Sequence, residues 1–360
     1  MWYVLIAEIA FLSVFTIINT PREWFKNKLF NLIFVIFHLI GISSVIVLLW
    51  FFYKLNDPII KNIVIKVETI YFSLIIFAFG LSLYRAFIFY ASRHTKNKKL
   101  RDKILSPYVF WRVVTILSIL YLIPGFKNAD NIIKKSYYIE SNKIDHLKIA
   151  MVSDLHIGAG ANKKNIDDMV EIVNEINPDS LVMCGDIVDS STSIEDLEHL
   201  KQSLYKISTK HGIYAIEGNH EDQCRYNIKQ YLLDAGVFYL QNESFLIDEN
   251  IVLVGLSDEL DKNVKEIMDE NLIDNAYTIV LQHKPTSFKA IKNDVDLVLC
   301  GHTHGYQYPF TAVTTPLFFE MRQGIKTFDQ MTAITSCGLS QWGYHSKWPS
   351  QSEVVEIVIN

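Results

Sequence analysis

An α/β domain carried behind a set of membrane-length helices is the fold class predicted by three observations on this sequence. Four almost wholly apolar runs occupy residues 2–19, 30–53, 69–90 and 108–124, whereas from 128 onward short apolar runs alternate with charged, helix-patterned stretches. Charge changes at the same place. Residues 1–127 carry 15 Lys+Arg against 5 Asp+Glu, a net of +10, and residues 128–360 carry 19 against 34, a net of −15, so the whole-chain value of −5 conceals two opposed parts. Finally, polar clusters rich in Asp, His and Gly come directly after several apolar runs of the second part. The division is therefore 1–127, a membrane region of four helices, and 128–360, an α/β domain long enough for its own core.

Each run of the first part fits a span. A hydrocarbon layer of about 30 Å needs about 17–25 apolar residues as helix. Aromatic residues gather near the ends, at Trp2, Tyr3, Trp24, Trp50, Tyr53, Tyr90, Tyr108, Trp111 and Tyr121, as in an interfacial belt. The run at 2–19 has no basic stretch before it and no small-residue cleavage site after Asn19, so it reads as a retained span rather than a signal peptide. The run at 108–124 carries Arg112 near its start, and its alternative is a buried helix of a soluble domain. Loop charge sets an orientation. Arg22, Lys26 and Lys28, with Arg93, Lys96, Lys98, Lys99, Arg101 and Lys103, give nine cations on one side. Lys54, Lys61, Lys66, Lys127, Lys134 and Lys135 give six on the other. The positive-inside rule then places both termini, and the C-terminal domain, outside the cytoplasm.

In the second part the strand-like runs are 148–152, 180–184, 212–217, 251–256, 278–282, 295–300, 331–336 and 354–359. Helical patterns lie near 163–176, 193–209, 225–235, 262–270 and 286–292, with an extra edge strand at 137–141. Asp167, Asp168, Glu195 and Asp196 read as solvated helix faces. The stretch holding Phe310, Leu317, Phe318 and Phe319 is too rich in Thr and Pro for a regular core element. It reads either as an exposed apolar patch or as residues packed beneath a long loop.

The reactive residues cluster where strands end. Asp154-Leu-His156 comes after the first run, Gly185-Asp186-Ile-Val-Asp189 after the second and Gly218-Asn219-His220-Glu221 after the third. Gln282-His283 and Gly301-His302-Thr303-His304-Gly305 come later. Projecting from the carboxyl ends of strands, they would meet where α/β sheets build their sites. Carboxylate, imidazole and amide donors without a Cys cluster suit Mn, Fe or Zn and speak against a structural zinc site. Two metals about 3.5–4 Å apart share a bridging group and together clamp a phosphate and activate water. A Gly before Asp, Asn and His lets the chain turn sharply as it leaves a strand.

These five motifs, in this order, resemble the calcineurin-like metallophosphoesterase family over roughly residues 146–360. The resemblance implies a sandwich of two mixed β-sheets flanked by helices and a metal-dependent phosphoric ester hydrolase. It implies two divalent metals, Mn²⁺ first, with Fe or Zn as alternatives. The first would be held by Asp154, His156, Asp186 and His304, and the second by Asp186, Asn219, His283 and His302, with Asp186 bridging. His220 would protonate the leaving oxygen or steady the phosphate, and Asp189 would orient His220, unless it merely caps the next helix. Glu221 reads equally as a cap or a surface acid. The Gly-His-Thr-His-Gly-x-Gln form is similar to a branch with membrane-anchored and exported bacterial enzymes. That branch has a second Gly where Tyr306 stands, and an arginine-bearing loop where 338–347 stands, with Lys347 as its stand-in. Gln307 would donate near the metals or serve structure alone.

Cys184 and Cys300 read as small buried thiols, and Cys224 and Cys337 carry no assignment. A net of −15 without a basic tract excludes tracking of a nucleic-acid backbone. The expected partners are a phosphorylated small molecule or lipid and the membrane. Three functions fit this reading: a membrane-bound phosphoesterase acting on a lipid-linked phosphate ester or pyrophosphate, the same chemistry on a soluble monoester or diester with the spans as anchor, or a metal-binding membrane module without catalysis. An acid at His220 disfavours the last, and four spans exceed what anchoring requires.

Overall fold

In the computed structural model the described residues are 58–91, 107–158, 160–258, 263–307 and 311–360. The expected spans at 2–19 and 30–53, the cations of the loops at 20–29 and 91–107, and Phe310 lie outside them. The chain divides into two compact units, Met1–Gly125 and Phe126–Asn360.

Two long helices are described in the first unit, α1 (Pro58–Ala91) and α2 (Pro107–Asp130), the last turn of α2 belonging to the second unit. Each opens on a proline, which fits the first helical position because its missing N–H would have no helical partner there. The apolar runs at 69–90 and 108–124 fall inside them. Ala78 of α1 and Phe110 and Val114 of α2 form a buried cluster, with Phe77 and Tyr121 in edge contact at 5.8 Å. Among the described residues one helix, Val109–Asp130, is long and apolar enough to cross a membrane.

The second unit is built from β1 (Ile132–Ile139), β2 (Leu147–Val152), β3 (Ser180–Cys184), β4 (Gly212–Ile216), β5 (Val237–Tyr239), β6 (Glu243–Asp248), β7 (Ile251–Gly255), β8 (Tyr277–Leu281), β9 (Leu297–Cys300), β10 (Gly324–Phe328), β11 (Met331–Thr335) and β12 (Ser352–Ile359). They form two sheets of six, ordered β1-β12-β2-β3-β4-β5 and β10-β11-β9-β8-β7-β6. Both are mixed. In the first, β12 and β2 are antiparallel while β2, β3, β4 and β5 run parallel; in the second, β7, β8, β9 and β11 are parallel and the outer strands β6 and β10 antiparallel.

Period-two alternation explains the layers. Ile149 and Met151 of β2 face the residues of the other sheet, Leu253, Ile279 and Leu299, in a buried inter-sheet core. Ala150 and Val152 point the opposite way, onto α3 (Lys163–Ile176) and α4 (Ile194–Leu204) through Met169, Val173 and Leu200. On the outer face of the second sheet, Val252, Val280 and Val298 meet Ile267 of α6 (Val264–Asn271) and Phe288 of α7 (Phe288–Ile291). The remaining helices are α5 (Ile228–Asp234) and α8 (Thr311–Phe318).

Helix starts obey capping chemistry. Asn162 closes a capping box with Asn165, and Ser193 with Asp196, each cap contributing on the order of 1 kcal/mol. Asp196 is thus a cap partner rather than the solvated acid its helical position suggests. The edge strand is real but begins earlier, at Ile132, and pairs with β12 alone. The expected helix over 193–209 stops at Leu204.

Candidate metal centre

The parallel strands β2, β3 and β4 of one sheet and β8 and β9 of the other end beside one another, and each motif begins within three residues of its strand's end. The loops interlock through the backbone: Asp154 N–H donates to Gly185 O, His156 N–H to Asp186 O and Gly301 N–H to His283 O, each at 3.0 Å. This packing forces close approaches. A Cβ on Gly218 would lie 2.3 Å from Asp186 Oδ1, and one on Gly301 2.5 Å from Asp154 Oδ2. These two glycines are needed for space. Gly185, at φ 79°, also makes the turn that the sequence pattern suggests.

Five of the seven predicted metal ligands hold left-handed backbone: Asp154 (φ 53°), His156 (44°), Asp186 (52°), His302 (71°) and His304 (49°). Each such non-glycine conformation costs on the order of 1–3 kcal/mol, and it persists where surrounding structure enforces it for a function.

The side chains converge in overlapping groups: Asp154, His156 and His304; His156, Asp186 and His220; and Asp186, His283 and His302. Asp186 Oδ2 lies 3.1 Å from His283 Nε2 and 3.6 Å from His156 Nε2. His304 Nε2 is 3.5 Å from Asp154 Oδ1 and 3.2 Å from His156 Nε2, and His302 Nδ1 is 3.2 Å from His283 Nε2. Two imidazole pairs thus face each other through ring nitrogens beside carboxylates, an arrangement that calls for cations. Ring orientation is set from behind: His283 Nδ1–H donates to Cys184 O at 2.8 Å and His304 Nδ1–H to Ser340 O at 3.3 Å, so both Nε2 atoms face the carboxylates and would be the atoms offered to a metal. Asn219 Oδ1 is buried without a hydrogen-bond partner, as a carbonyl ligand awaiting a metal would be.

Burial lowers the pKa of His156 well below its usual value and lowers that of His304; burial and then the neighbouring His283 bring His302 to about 3. All three are neutral near pH 7, the form that binds metals. Burial would lower His283 too, but the Asp186 carboxylate outweighs it and raises it to about 10. Beside Asp186 alone His283 is therefore held protonated, and a metal bound there would take the place of its Nε2 proton.

His220 donates its backbone N–H to Asp186 Oδ1 at 2.9 Å, and its ring sits 4.9 Å from that of His156 and 5.1 Å from that of Trp342. The expected link to Asp189 is not formed, since His220 Nδ1 is buried without a hydrogen-bond partner. The cause is local: Asp189 Oδ1 accepts from both the N–H and the hydroxyl of Ser191 at 2.6 Å, so the carboxylate is drawn into the turn before α4. Nor does Asp189 cap the next helix, whose N-cap is Ser193; it closes the turn before it instead.

Lys347 is not a stand-in for an arginine facing substrate. It is fully buried, and its ammonium donates to the carbonyls of Cys337 and Gly338; burial lowers its pKa to about 8. Gln307 is likewise structural, donating to Trp342 O (2.9 Å) and Tyr344 O (2.7 Å).

Glu221 is the residue that sequence reasoning left undecided and the structure resolves. Its buried carboxylate accepts the backbone N–H of Ile187 (2.6 Å), Gly218 (2.7 Å) and Asp186 (3.2 Å), tying two motif loops together. Glu221→Ala would orphan three buried donors at about 1–3 kcal/mol each. Denaturant unfolding is expected to show a loss of several kcal/mol, with Glu221→Gln, which keeps one acceptor oxygen, losing less. An unchanged midpoint for the Ala variant would refute this role.

The sequence profile of the calcineurin-like phosphoesterase family matches residues 147–306. An uncharacterised metallophosphoesterase of Aquifex aeolicus is 31% identical over 238 residues, 62% of this chain and 90% of that one. An uncharacterised metallophosphoesterase of Helicobacter pylori is 29% identical over 307 residues, 78% of each chain. A Bos taurus protein named as a transmembrane protein with a metallophosphoesterase domain is 27% identical over 286 residues, 72% of this chain and 64% of its own length. The donor set fits the paired divalent metals of such enzymes. This chain belongs to the calcineurin-like metallophosphoesterase family and is a metal-dependent phosphoric ester hydrolase.

Proposed function

We propose that the chain is a membrane-bound phosphoesterase that hydrolyses a phosphate ester or pyrophosphate carried on a lipid. The observation that carries the hydrolytic part is the convergence of Asp154, His156, Asp186, His283, His302 and His304 at the ends of both sheets. In this reading Asp154, His156, Asp186 and His304 hold one divalent metal and Asp186, Asn219, His283 and His302 the other, with Mn²⁺ the first choice. When bound, such a pair clamps phosphoryl oxygens and lowers the pKa of water. His220 gives the leaving oxygen its proton, and its backbone bond to Asp186 fixes where the imidazole starts from. Asp189 acts at a distance, by fixing the turn after β3.

The membrane part takes residues 1–127 as four spans and residues 128–360 as the catalytic domain, in the branch marked by Gly-His-Thr-His-Gly-x-Gln. It is supported by the apolar helix Val109–Asp130 and by the transmembrane description of the Bos taurus relative. Preference for a lipid is supported by Leu317 and Phe318, 74% and 72% exposed at the end of α8, next to Phe319, whose ring packs 4.9 Å from that of His302. An apolar surface thus adjoins a proposed ligand.

The test compares a lipid phosphate with its water-soluble headgroup analogue, using full-length protein with Mn²⁺, as wild type and as Leu317→Ser/Phe318→Ser. Losing contact with one buried apolar side chain costs about 1.5–3 kcal/mol. The double change is therefore expected to lower efficiency on the lipid by at least about tenfold and to spare the analogue. Equal efficiency on both substrates, indifferent to the change, would leave a tethered enzyme for soluble esters. Run on intact cells with the impermeant analogue, the same assay tests the outward orientation, since activity only after lysis would reverse it.

A further inference from the structure

Two runs of chain lie side by side at the edge of the metal centre. Residue by residue, His302 meets Phe319 through their rings, the Thr303 hydroxyl donates to the Arg322 carbonyl, and Gly305 lies against Gln323, whose Oε1 would be 2.3 Å from a Cβ there. At the end of this apposition the Arg322 guanidinium stacks 3.8 Å over the ring of Tyr306, and its Nη2 donates to the Tyr306 phenol oxygen. The Tyr306 backbone is itself fixed by its N–H to Ser350 Oγ at 3.1 Å. A cation is thereby held two residues beyond His304 on a residue pair that is only half-buried.

Two other cations near these loops face elsewhere. Lys284 is bound to Asp258, and Lys347 is turned inward onto backbone carbonyls. Arg322 brings positive charge to the half-buried side of the His302–His304 loop. A guanidinium is planar, always charged and suited to phosphate oxygens, and stacking on an aromatic ring fixes its orientation even while Nη2 donates to the Tyr306 phenol. Tyr306 then serves as the platform that places the arginine.

We propose that Arg322, positioned by Tyr306, binds a second phosphate of the substrate, so that the substrate carries two linked phosphates rather than one. The proposal rests on the phosphoesterase reading above and narrows its substrate class to pyrophosphate-type compounds. Arg322 contacts the substrate, while Tyr306 acts through Arg322.

The experiment measures binding of inorganic pyrophosphate and orthophosphate by calorimetry to full-length, Mn²⁺-loaded protein, together with kinetics on an aryl phosphate monoester and on a pyrophosphate diester. Arg322→Gln is expected to weaken pyrophosphate binding, and to raise KM for the diester, by about 10- to 100-fold, the usual worth of a charge-assisted hydrogen bond. Orthophosphate binding, metal content and kcat on the monoester should stay close to wild type. Arg322→Lys should recover part of the loss, because it keeps the charge without the planar group, and Tyr306→Phe should give a smaller loss of the same kind. Equal weakening of both anions, or none, would overturn the proposal. Selective loss of pyrophosphate binding in a protein that hydrolyses neither substrate would uphold Arg322 and reject the hydrolytic reading instead.

Discussion

Asp186→Ala is expected to abolish hydrolysis and to leave the protein with fewer than two bound metals per chain. Asp186 belongs to two of the three convergent groups, and its Oδ2 is near imidazole nitrogens on opposite sides, His283 at 3.1 Å and His156 at 3.6 Å. Its Oδ1 meanwhile accepts the His220 N–H, so one carboxylate sets the place of both proposed ligand sets and of the proposed acid. A bridging ligand cannot be lost from one site alone. The electrostatics agree. Burial opposes its charge, yet His283 and the other imidazoles hold Asp186 below the usual carboxylate range, so it is an anion at any pH where the enzyme works. Asp186→Asn is the useful partner variant, because it keeps the shape and an acceptor for His220 while removing the charge. Metal analysis after gel filtration, with circular dichroism to confirm folding, checks the expectation. Two metals retained by a folded Asp186→Ala protein would refute the bridging assignment.

The convergence of these side chains was legible because they sit just beyond short, largely apolar strands. β3 is buried at all five positions, so the run 180–184 announces itself, and Gly185-Asp186 falls where the chain must leave the sheet. The inter-sheet core was legible for the same reason. Less visible are the edges. β6 and β10 are outer strands of their sheet, with exposed or half-buried residues at most positions, so their sequences carry little apolar signal. β5 is only three residues long, and α8 is hidden by its threonines and by Pro316. β1 is read short because Lys134 and Lys135 lie on its exposed part.

Contacts between distant loops were harder still. Nothing in Gly-Asn-His-Glu reveals that the glutamate reaches back 34 and 35 residues to collect the N–H groups of Ile187 and Asp186. Tyr306 is visible in the sequence just beyond the histidine motif, but its pairing with Arg322 exists only because the stretch 319–323 runs alongside the histidine loop. The same holds for Lys347. Its place in the chain suggests a substrate cation, and only the folded loop shows its ammonium enclosed between carbonyls. Motif spacing reports where a strand ends, whereas the direction a side chain takes afterwards is decided by loops that pack from elsewhere.

His220→Ala is expected to lower turnover by roughly 10²–10⁴, the usual share of a positioned general acid, with two metals still bound. The difference from Asp186 lies in what each residue contributes to the frame. His220 is joined to the centre through its backbone N–H, a bond to Asp186 Oδ1 that alanine keeps. Its ring touches His156 and Trp342 without accepting or donating a hydrogen bond at Nδ1, so truncation orphans no partner there. The proposed ligands should therefore stay in place while the proton source is lost. Leaving groups then distinguish an acid from a residue that merely steadies phosphate. An acidic aryl oxide departs without help, whereas an alkoxide needs a proton, so the loss should be much larger for an alkyl phosphate than for an aryl one. A loss of the same size on both would assign His220 to phosphate binding, and a fall in metal content would make it a ligand. The absence of a bond from Asp189 sharpens this test. With no carboxylate on Nδ1, Asp189→Asn should leave the wild-type ratio of alkyl to aryl phosphate turnover unchanged, and a selective loss on the alkyl ester would show that the two residues pair during turnover.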